Sequence, residues 1–546
     1  VHLAVRPGQE WALLLAMVGS LASAAPPGAT ADRSMLKAHM AFLADDLLEG
    51  RETGTRGFDI AARYVAAQFA QYGVQPKGDA GSYLHAVPLK TGRLVKDSPQ
   101  FEIHRKGGIE SLVFLDEFST PASVSADQTD VTAPLVFVGF GITAPRFGHD
   151  DYAGIDVKGK IAVVLSGNPP SFPSEEGAYY GNNFRTKREL AAKHGAIGYI
   201  VLPTPRSERV FPFALSRRFS DALAMDWVTS DGRASSDVPW APRLANVSTA
   251  AGVKLFSEVG LNLDAIYAAV DANQPLPRLA LDLSARVSGK STRAEASSSN
   301  VVGMIEGSDP LLKREFVVFT AHLDHLGIKP GMAGDNIYNG AMDNASGVAT
   351  LMEMARLIAQ MPVKPKRSML FIALTGEEKG LRGSDYFATN PTVPASSIVA
   401  CVNFDMPILT YDFSNVVAFG AEHSNLKEIT ATAAAELGLA LVPDPVPEQG
   451  IFTRSDHFNF VRQGVPCIYM VPGTESFDKN ENVRELRRSF VRDHYHLPSD
   501  DMTLPINWAA AERFAQLNYV LGVAIANSPT PIRWNPGDFF GDLFGK

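Results

Sequence analysis

Apolar positions along this chain follow two rhythms. Between Arg33 and Val74 they recur at helical spacing, at Met35, Leu36, Met40, Leu43, Leu47 and Leu48, and again from Ile60 to Phe69. The segment Gly50–Gly54 separates these two predicted helices, and Gly73 closes the second. From about Asp127 to Ala285 the texture changes to short β runs between Gly/Pro turns, such as Pro134–Val138, Lys160–Leu165 and Ile197–Leu202. One helix, around Thr186–His194, interrupts them, so residues 127–285 read as a separate, smaller α/β insert rich in β structure. The polar stretch Gly289–Asn300 reads as a linker or an exposed hairpin. Beyond it, Phe316–Thr320, Met369–Leu374, Ile398–Val402 and Cys467–Val471 are continuous apolar runs. Helical patterns fall between them, at Gly347–Ala359 and from about Leu381. That alternation predicts an α/β fold with a mixed, mostly parallel central sheet covered by helices on both faces.

The first segment breaks this picture. Trp11–Ala25 is apolar, ends in Ala22-Ser-Ala24 and precedes a Pro-rich stretch. It is shorter than the ~20 residues that cross a bilayer, and it reads as a signal peptide over residues 1–25. The expectation is an exported protein, periplasmic or secreted, with no membrane span after cleavage. The 546 residues are 45% hydrophobic and 20% charged, with 50 Lys and Arg against 59 Asp and Glu. A net charge of −9 without Lys/Arg runs points away from nucleic acid as a partner. Two cysteines exclude a disulfide scaffold and any Cys-based zinc module. Cys401 and Cys467 both lie in apolar strands and read as buried thiols, with a disulfide open to them if the strands are neighbours in suitable register. Metal chemistry in this chain must therefore use His, Asp and Glu.

Such residues follow the predicted strands. Phe316–Thr320 runs into Ala321-His322-Leu-Asp324-His325, Met369–Leu374 into Thr375-Gly-Glu377-Glu378, and Ile398–Val402 into Asn403-Phe-Asp405. In an open α/β sheet, ligands bind beyond the carboxyl ends of the strands. A further acid, Asp343, stands in Gly340–Gly347 just before the helix after the first of these strands. A single Asp after a strand is usually a helix cap, and a Glu-Glu pair is usually a solvated surface. Three strand ends delivering His and carboxylates to one edge are harder to explain that way, because buried charges need a partner or a cation.

Oxygen and imidazole donors without thiolate suit Zn, Mn or Co. This many carboxylates fits two ions sharing one Asp better than a single tetrahedral site. Glu377 and Glu378, if extended, point opposite ways, so one can hold metal while the other serves as general base.

The motifs Ala321–Gly327, Asp343–Gly347, Gly376–Ser384, Asn403–Met406, Arg454–His457 and His494–Asp500 resemble those of the zinc aminopeptidases of family M28, in the same order. The resemblance covers roughly residues 33–126 and 286–527 and implies a discontinuous catalytic domain of zinc exopeptidase-like fold. It implies two zinc ions per chain. His322 and Asp405 would hold one, Glu378 and His496 the other, and Asp343 would bridge them. Glu377 would be the general base, and Asp324 would steady the His322 ring. His494 competes with His496, which the family's Tyr-His pattern favours. His325 and His457 read as structural or supporting residues, and Ser455-Asp456-His457 as a loop below the site. Met342 stands where family members often carry Asp.

Residues 127–285 are similar to a protease-associated domain, through Phe137–Gly141, Asp151–Lys160 and Lys187–Leu202. Such an insert would narrow access to the cleft or stand aside as a spectator. Gly139–Ala144 imitates a dinucleotide loop, but Pro145 and the missing helical pattern argue against it. Residues 528–546 form an aromatic-rich tail, too short to fold alone. The expected substrates are peptides with a free N-terminus, and the oligomeric state is open. A metal-stabilised binding module without catalysis, a carboxypeptidase and a glutaminyl cyclase are the alternatives.

Overall fold

A computed structural model describes residues 30–181, 184–217, 220, 222–237 and 241–545. The predicted signal peptide, residues 1–25, lies outside them. Among the described residues no helix is long and apolar enough to cross a membrane. The N-terminal part opens with the helix Arg33–Leu43, whose cap Asp32 accepts the Ser34 and Met35 N–H groups. Leu47 and Leu48 are not in that helix but in a short turn, Asp46–Arg51, which Asp45 caps. Thr55 caps the second helix, Arg56–Tyr72, and left-handed Gly73 ends it.

The first sheet has a parallel centre in the order Cys467–Pro472, Ile398–Asn403, Phe316–His322, Ser368–Leu374. Antiparallel strands continue it on either side, Asn415–Phe419 beyond Cys467–Pro472 and Arg278–Ile305 beyond Ser368–Leu374. All seven positions of Phe316–His322 and of Ser368–Leu374 are buried, as expected for parallel strands covered on both faces. The helix Ser346–Gln360 lays Val348, Leu351, Met352 and Ala355 on one face of the sheet beside the long C-terminal helix Trp508–Asn527.

A second sheet is built from Gln128–Val138, Ile161–Leu165, Gly198–Leu202 and Arg243–Val247, successively parallel. Two sequence expectations are corrected here. Gly289–Asn300 is neither linker nor hairpin; it is the middle of a 28-residue strand, Arg278–Ile305. That strand pairs with Gln128–Val138 at one end and with Leu84–Leu94 and Ser368–Leu374 at the other, and so belongs to both sheets. Thr292, Arg293 and Glu295 are exposed along it, and the buried Ser298 and Asn300 have polar partners. Ser298 Oγ lies 2.7 Å from Thr375 Oγ1, Asn300 Oδ1 accepts the Thr375 N–H at 3.1 Å, and Asn300 Nδ2 donates to the Gly383 carbonyl at 3.0 Å. The change of texture at Asp127 is likewise not where the sheets part. Gln100–Arg105 and Phe118–Ser119 pair into the second sheet, while Ala224–Trp227 pairs with Leu84–Leu94 in the first.

The aromatic tail docks on both sheets' surroundings. Phe539 and Phe540 are buried in a core shared by Phe137, Tyr179 and Tyr180 of the insert and Phe452 and Phe458 of the body. Trp534 Nε1 donates to the Gly464 carbonyl at 2.9 Å, and Arg146 of the insert donates to Asp542 at 2.7 Å.

Candidate metal centre

The three parallel neighbours Ile398–Asn403, Phe316–His322 and Ser368–Leu374 end side by side. They carry Asp405, His322 and the Glu377-Glu378 pair to one edge. Asp343 arrives from the turn Ala341–Ala345, and Asp500 fixes that turn. Its carboxylate accepts the Met342 and Asp343 N–H groups at 2.8 and 3.0 Å. Asn344 ties the same turn to the end of Ile398–Asn403, accepting the Met406 N–H at 3.1 Å and donating to the Phe404 carbonyl at 2.9 Å. His496 follows the helix Val483–Asp493 and has a φ of 56°, which aims its ring back at the cluster.

Asp343 divides its carboxylate between two groups. Its Oδ1 lies 3.2 Å from His322 Nε2, which is itself 3.1 Å from Asp405 Oδ1. Its Oδ2 lies 3.2 Å from His496 Nε2, which is 3.3 Å from Glu378 Oε1. Donors around one tetrahedral zinc, with bonds near 2.0–2.1 Å, are separated by about 3.3 Å. These spacings fit that requirement on both sides of Asp343. Buried Glu378 Oε1 has no hydrogen-bond partner, the mark of a donor reserved for something else. The donors are imidazole and carboxylate throughout, so the residues fit a pair of zinc-like cations.

The electrostatics are arranged around negative charge. Burial opposes ionisation of Asp343, but the hydrogen bonds from His322 and His496 outweigh it and hold the carboxyl well below the usual range. Burial lifts the Glu377 carboxyl well above its ordinary range; His322 pulls it down, and Asp405 and Glu378 push it further up. Beneath the cluster, wholly buried Arg51 donates to the carbonyls of Leu323 at 2.9 Å, Asn339 at 2.5 Å and Gly340 at 3.1 Å. Burial brings its guanidinium down only to about 10, so it remains a fixed cation below the acids.

The structure brings His322, Asp343, Glu377, Glu378, Asp405 and His496 to one edge. His494 points away, with Nδ1 3.0 Å from Ser499 Oγ. Asp324 is at the site but does a different job from the one expected. The His322 ring nitrogen Nδ1 meets the Asp324 backbone carbonyl at 3.1 Å, not its side chain. The Asp324 carboxylate instead accepts the N–H groups of Glu377 at 3.1 Å and Glu378 at 3.3 Å, with Thr53 Oγ1 donating at 2.9 Å. A side chain two residues beyond His322 folds toward the next strand's loop, which is nearer than the ring.

Several residues at the site were not singled out by sequence reasoning. Ser455 donates to Asp405 Oδ2 at 2.5 Å and accepts from Asn403 Nδ2 at 2.8 Å, so the loop below the site touches a candidate ligand directly. Asp500 could have been found from its motif, His494–Asp500, whereas Arg51 carries no sequence signal beyond the Gly50–Gly54 break. His457 is a core residue. Both of its ring nitrogens lack partners, burial pulls its imidazole down to about 3, and it packs against Phe452 and Tyr469. Met342 is also core, with its sulfur accepting the Leu409 N–H at 3.4 Å.

Comparison with known proteins agrees with this geometry. Residues 300–521, which hold every candidate ligand, match the model of peptidase family M28. A relative from Aspergillus oryzae named "probable leucine aminopeptidase 2" is 23% identical over 474 residues, covering 84% of this chain and 80% of the relative. A "probable zinc metalloprotease" from Pyrenophora tritici-repentis is 24% identical over 278 residues, 43% of this chain and 56% of the relative. Among solved structures, an aminopeptidase from Aneurinibacillus sp. strain AM-1 superposes with a TM-score of 0.52 at 20% identity, covering 92% of this chain and 95% of that one. That likeness is one of fold, the mixed and mostly parallel α/β sheet described above. The chain is a peptidase, and the segment that matches the M28 model is the one that builds the metal-ready cluster.

Proposed function

We propose that this chain is a di-zinc aminopeptidase that removes N-terminal residues from peptides. The supporting observation is the division of the Asp343 carboxylate, one oxygen toward His322 and Asp405 and the other toward His496 and Glu378. The relatives' names, leucine aminopeptidase and zinc metalloprotease, support the same reading. His322, Asp405 and Asp343 would hold one zinc, and Glu378, His496 and Asp343 the other. When bound, zinc there would polarise the substrate carbonyl and acidify a water. Glu377 is the residue left free to move a proton, taking it from the attacking water and passing it to the leaving amine. Its loop is held for that task by the Asp324 carboxylate, through the two backbone N–H groups.

The insert is proposed to act as a protease-associated lid over the cleft. Its Arg185 donates to Asp385 at 3.0 Å, and from the strand Ala224–Trp227, by which the segment joins the first sheet, Asp226 pairs with Arg382 at 3.2 Å and Trp227 Nε1 donates to Asp385 at 2.7 Å. Both partners lie on the helix Arg382–Thr389, which directly follows the Glu377-Glu378 loop. The run Trp11–Ala25 supports export of the protein. The reading is tested by metal content per chain together with hydrolysis of free and N-terminally blocked peptides. Two zinc ions and cleavage confined to free N-termini are expected. One ion, or equal cleavage of blocked peptides, overturns it.

A further inference from the structure

The geometry points to His325 as a fourth protein ligand of the second cation position, joining Asp343, Glu378 and His496. This rests on the two-ion reading above and goes beyond the five ligands it names. His325 is completely buried, and neither of its ring nitrogens has a hydrogen-bond partner. His457 is unpartnered too, but among aromatic rings, whereas His325 turns its nitrogen toward two carboxylates, the setting in which an ion completes a buried imidazole. Its Nδ1 lies 2.9 Å from Glu378 Oε1 and 3.9 Å from Asp343 Oδ2. The near contact is not a hydrogen bond, since Glu378 Oε1 is also without a partner. Two donor atoms this close, neither engaged in a hydrogen bond, are spaced as ligands of a common ion are. The nitrogen and the Asp343 and Glu378 oxygens lie within 4.8 Å of one another, close enough for one ion.

The ring is seated with care. The His325 N–H donates to the Arg51 carbonyl at 3.2 Å, and the ring packs on Gly340, whose φ is 60°. A Cβ at Gly340 would fall 2.7 Å from both Cγ and Cδ2 of His325, so only glycine admits the ring at that depth. His496 faces His325 across the site, with ring centroids 5.8 Å apart. The two cation positions are then unequal. His322, Asp405 and Asp343 offer one imidazole, whereas His325, His496, Glu378 and Asp343 offer two. More nitrogen donors favour zinc over harder divalent ions, and the second position is the one that should fill first.

The experiment uses the full chain stripped of metal and reloaded with zinc. Zinc affinity is measured by competition with a chelator for the wild type and for His325→Asn, and a crystal structure of the zinc-loaded wild type gives the ligands directly. Two ions per chain are expected, with His325 Nδ1 bonded to the ion shared by Asp343 and Glu378. In His325→Asn, one of the two affinities should fall at least about tenfold and the other should hold. If the wild type binds two ions while His325 is not bonded to either, this inference falls and the two-ion reading stands. If it binds one ion, the two-ion reading falls and takes the inference with it. The wild-type structure decides the matter even if the variant fails to fold.

Discussion

The carboxylate of Asp324 accepts the backbone N–H of Glu377 at 3.1 Å, so the strand end that supplies His322 also sets the position of the proposed base on the neighbouring strand's loop. Asp324 is wholly buried, and its second oxygen is used by Glu378 N–H and Thr53. Asp324→Asn replaces one acceptor oxygen by a donor and leaves one of these N–H groups unpaired. Turnover is expected to fall about 10–100-fold, the usual cost of losing a group that orients others. Steady-state kinetics on an amino-acid arylamide check this, with kcat falling more than KM rises.

Glu377→Gln keeps the shape of the side chain and removes its basicity. Metal content should be unchanged from the wild type, because Glu377 is not among the candidate ligands. The rate should drop by about 10²–10⁴-fold. Elemental analysis beside the kinetics separates loss of a base from loss of metal.

Removing the metal should abolish activity and lower the melting temperature, because the acids gathered around Asp343 then face one another without cations. Zinc added back should restore both. A ligand present at about 100 times its dissociation constant stabilises the folded state by about 2.7 kcal/mol, enough for a clear shift in a thermal scan.

Cys401 and Cys467 are register partners on adjacent parallel strands, buried, and present as free thiols. Burial pushes the Cys467 thiol well up, and its neighbour Cys401 adds to the effect, which suppresses the reactive thiolate. Native protein should not react with a thiol reagent, whereas denatured protein should react at both positions. Titration with and without denaturant measures it.

His423 joins the insert, the body and the tail. Its Nδ1 lies 2.6 Å from Asp538 of the tail, and its Nε2 contacts Glu175 of the insert. Burial alone would lower its pKa, but the two carboxylates outweigh that and raise it from 6.5 to about 10. A group raised in the folded state stabilises fully below its unfolded value and loses that contribution as the pH climbs through the folded one. The tail's hold should therefore be complete near pH 6.5, weaken as the pH rises through about 10, and fail again in acid once the Asp538 carboxylate is protonated. Limited proteolysis of the C-terminus across that range follows it, and His423→Gln should lose the pH dependence.

The strands were legible because each is a continuous apolar run, and burial on both faces permits little else at Phe316–His322 or Ser368–Leu374. The strand Arg278–Ile305 was not. Its middle is Ser, Thr, Arg and Glu, and only the partners supplied by Thr375 and Gly383 make Ser298 and Asn300 acceptable inside a sheet. The helix after Arg33 was predicted too long, since Leu47 and Leu48 continue the spacing while Asp45 caps a separate turn.

Residue type and strand order, readable along the chain, determined which groups reach the catalytic edge: His322, Asp343, Glu377, Glu378, Asp405 and His496. Which atom each one turns to its neighbours was decided only in three dimensions. The Asp324 carboxylate serves the Glu377 loop while only its backbone carbonyl meets the His322 ring, and Ser455 grips Asp405. His325 enters the second cluster because Gly340 leaves room for it. Hydrogen bonds and metal donors act over about 3 Å, and segments 50 or 53 residues apart, as in these pairs, meet at that distance only after the sheet has formed.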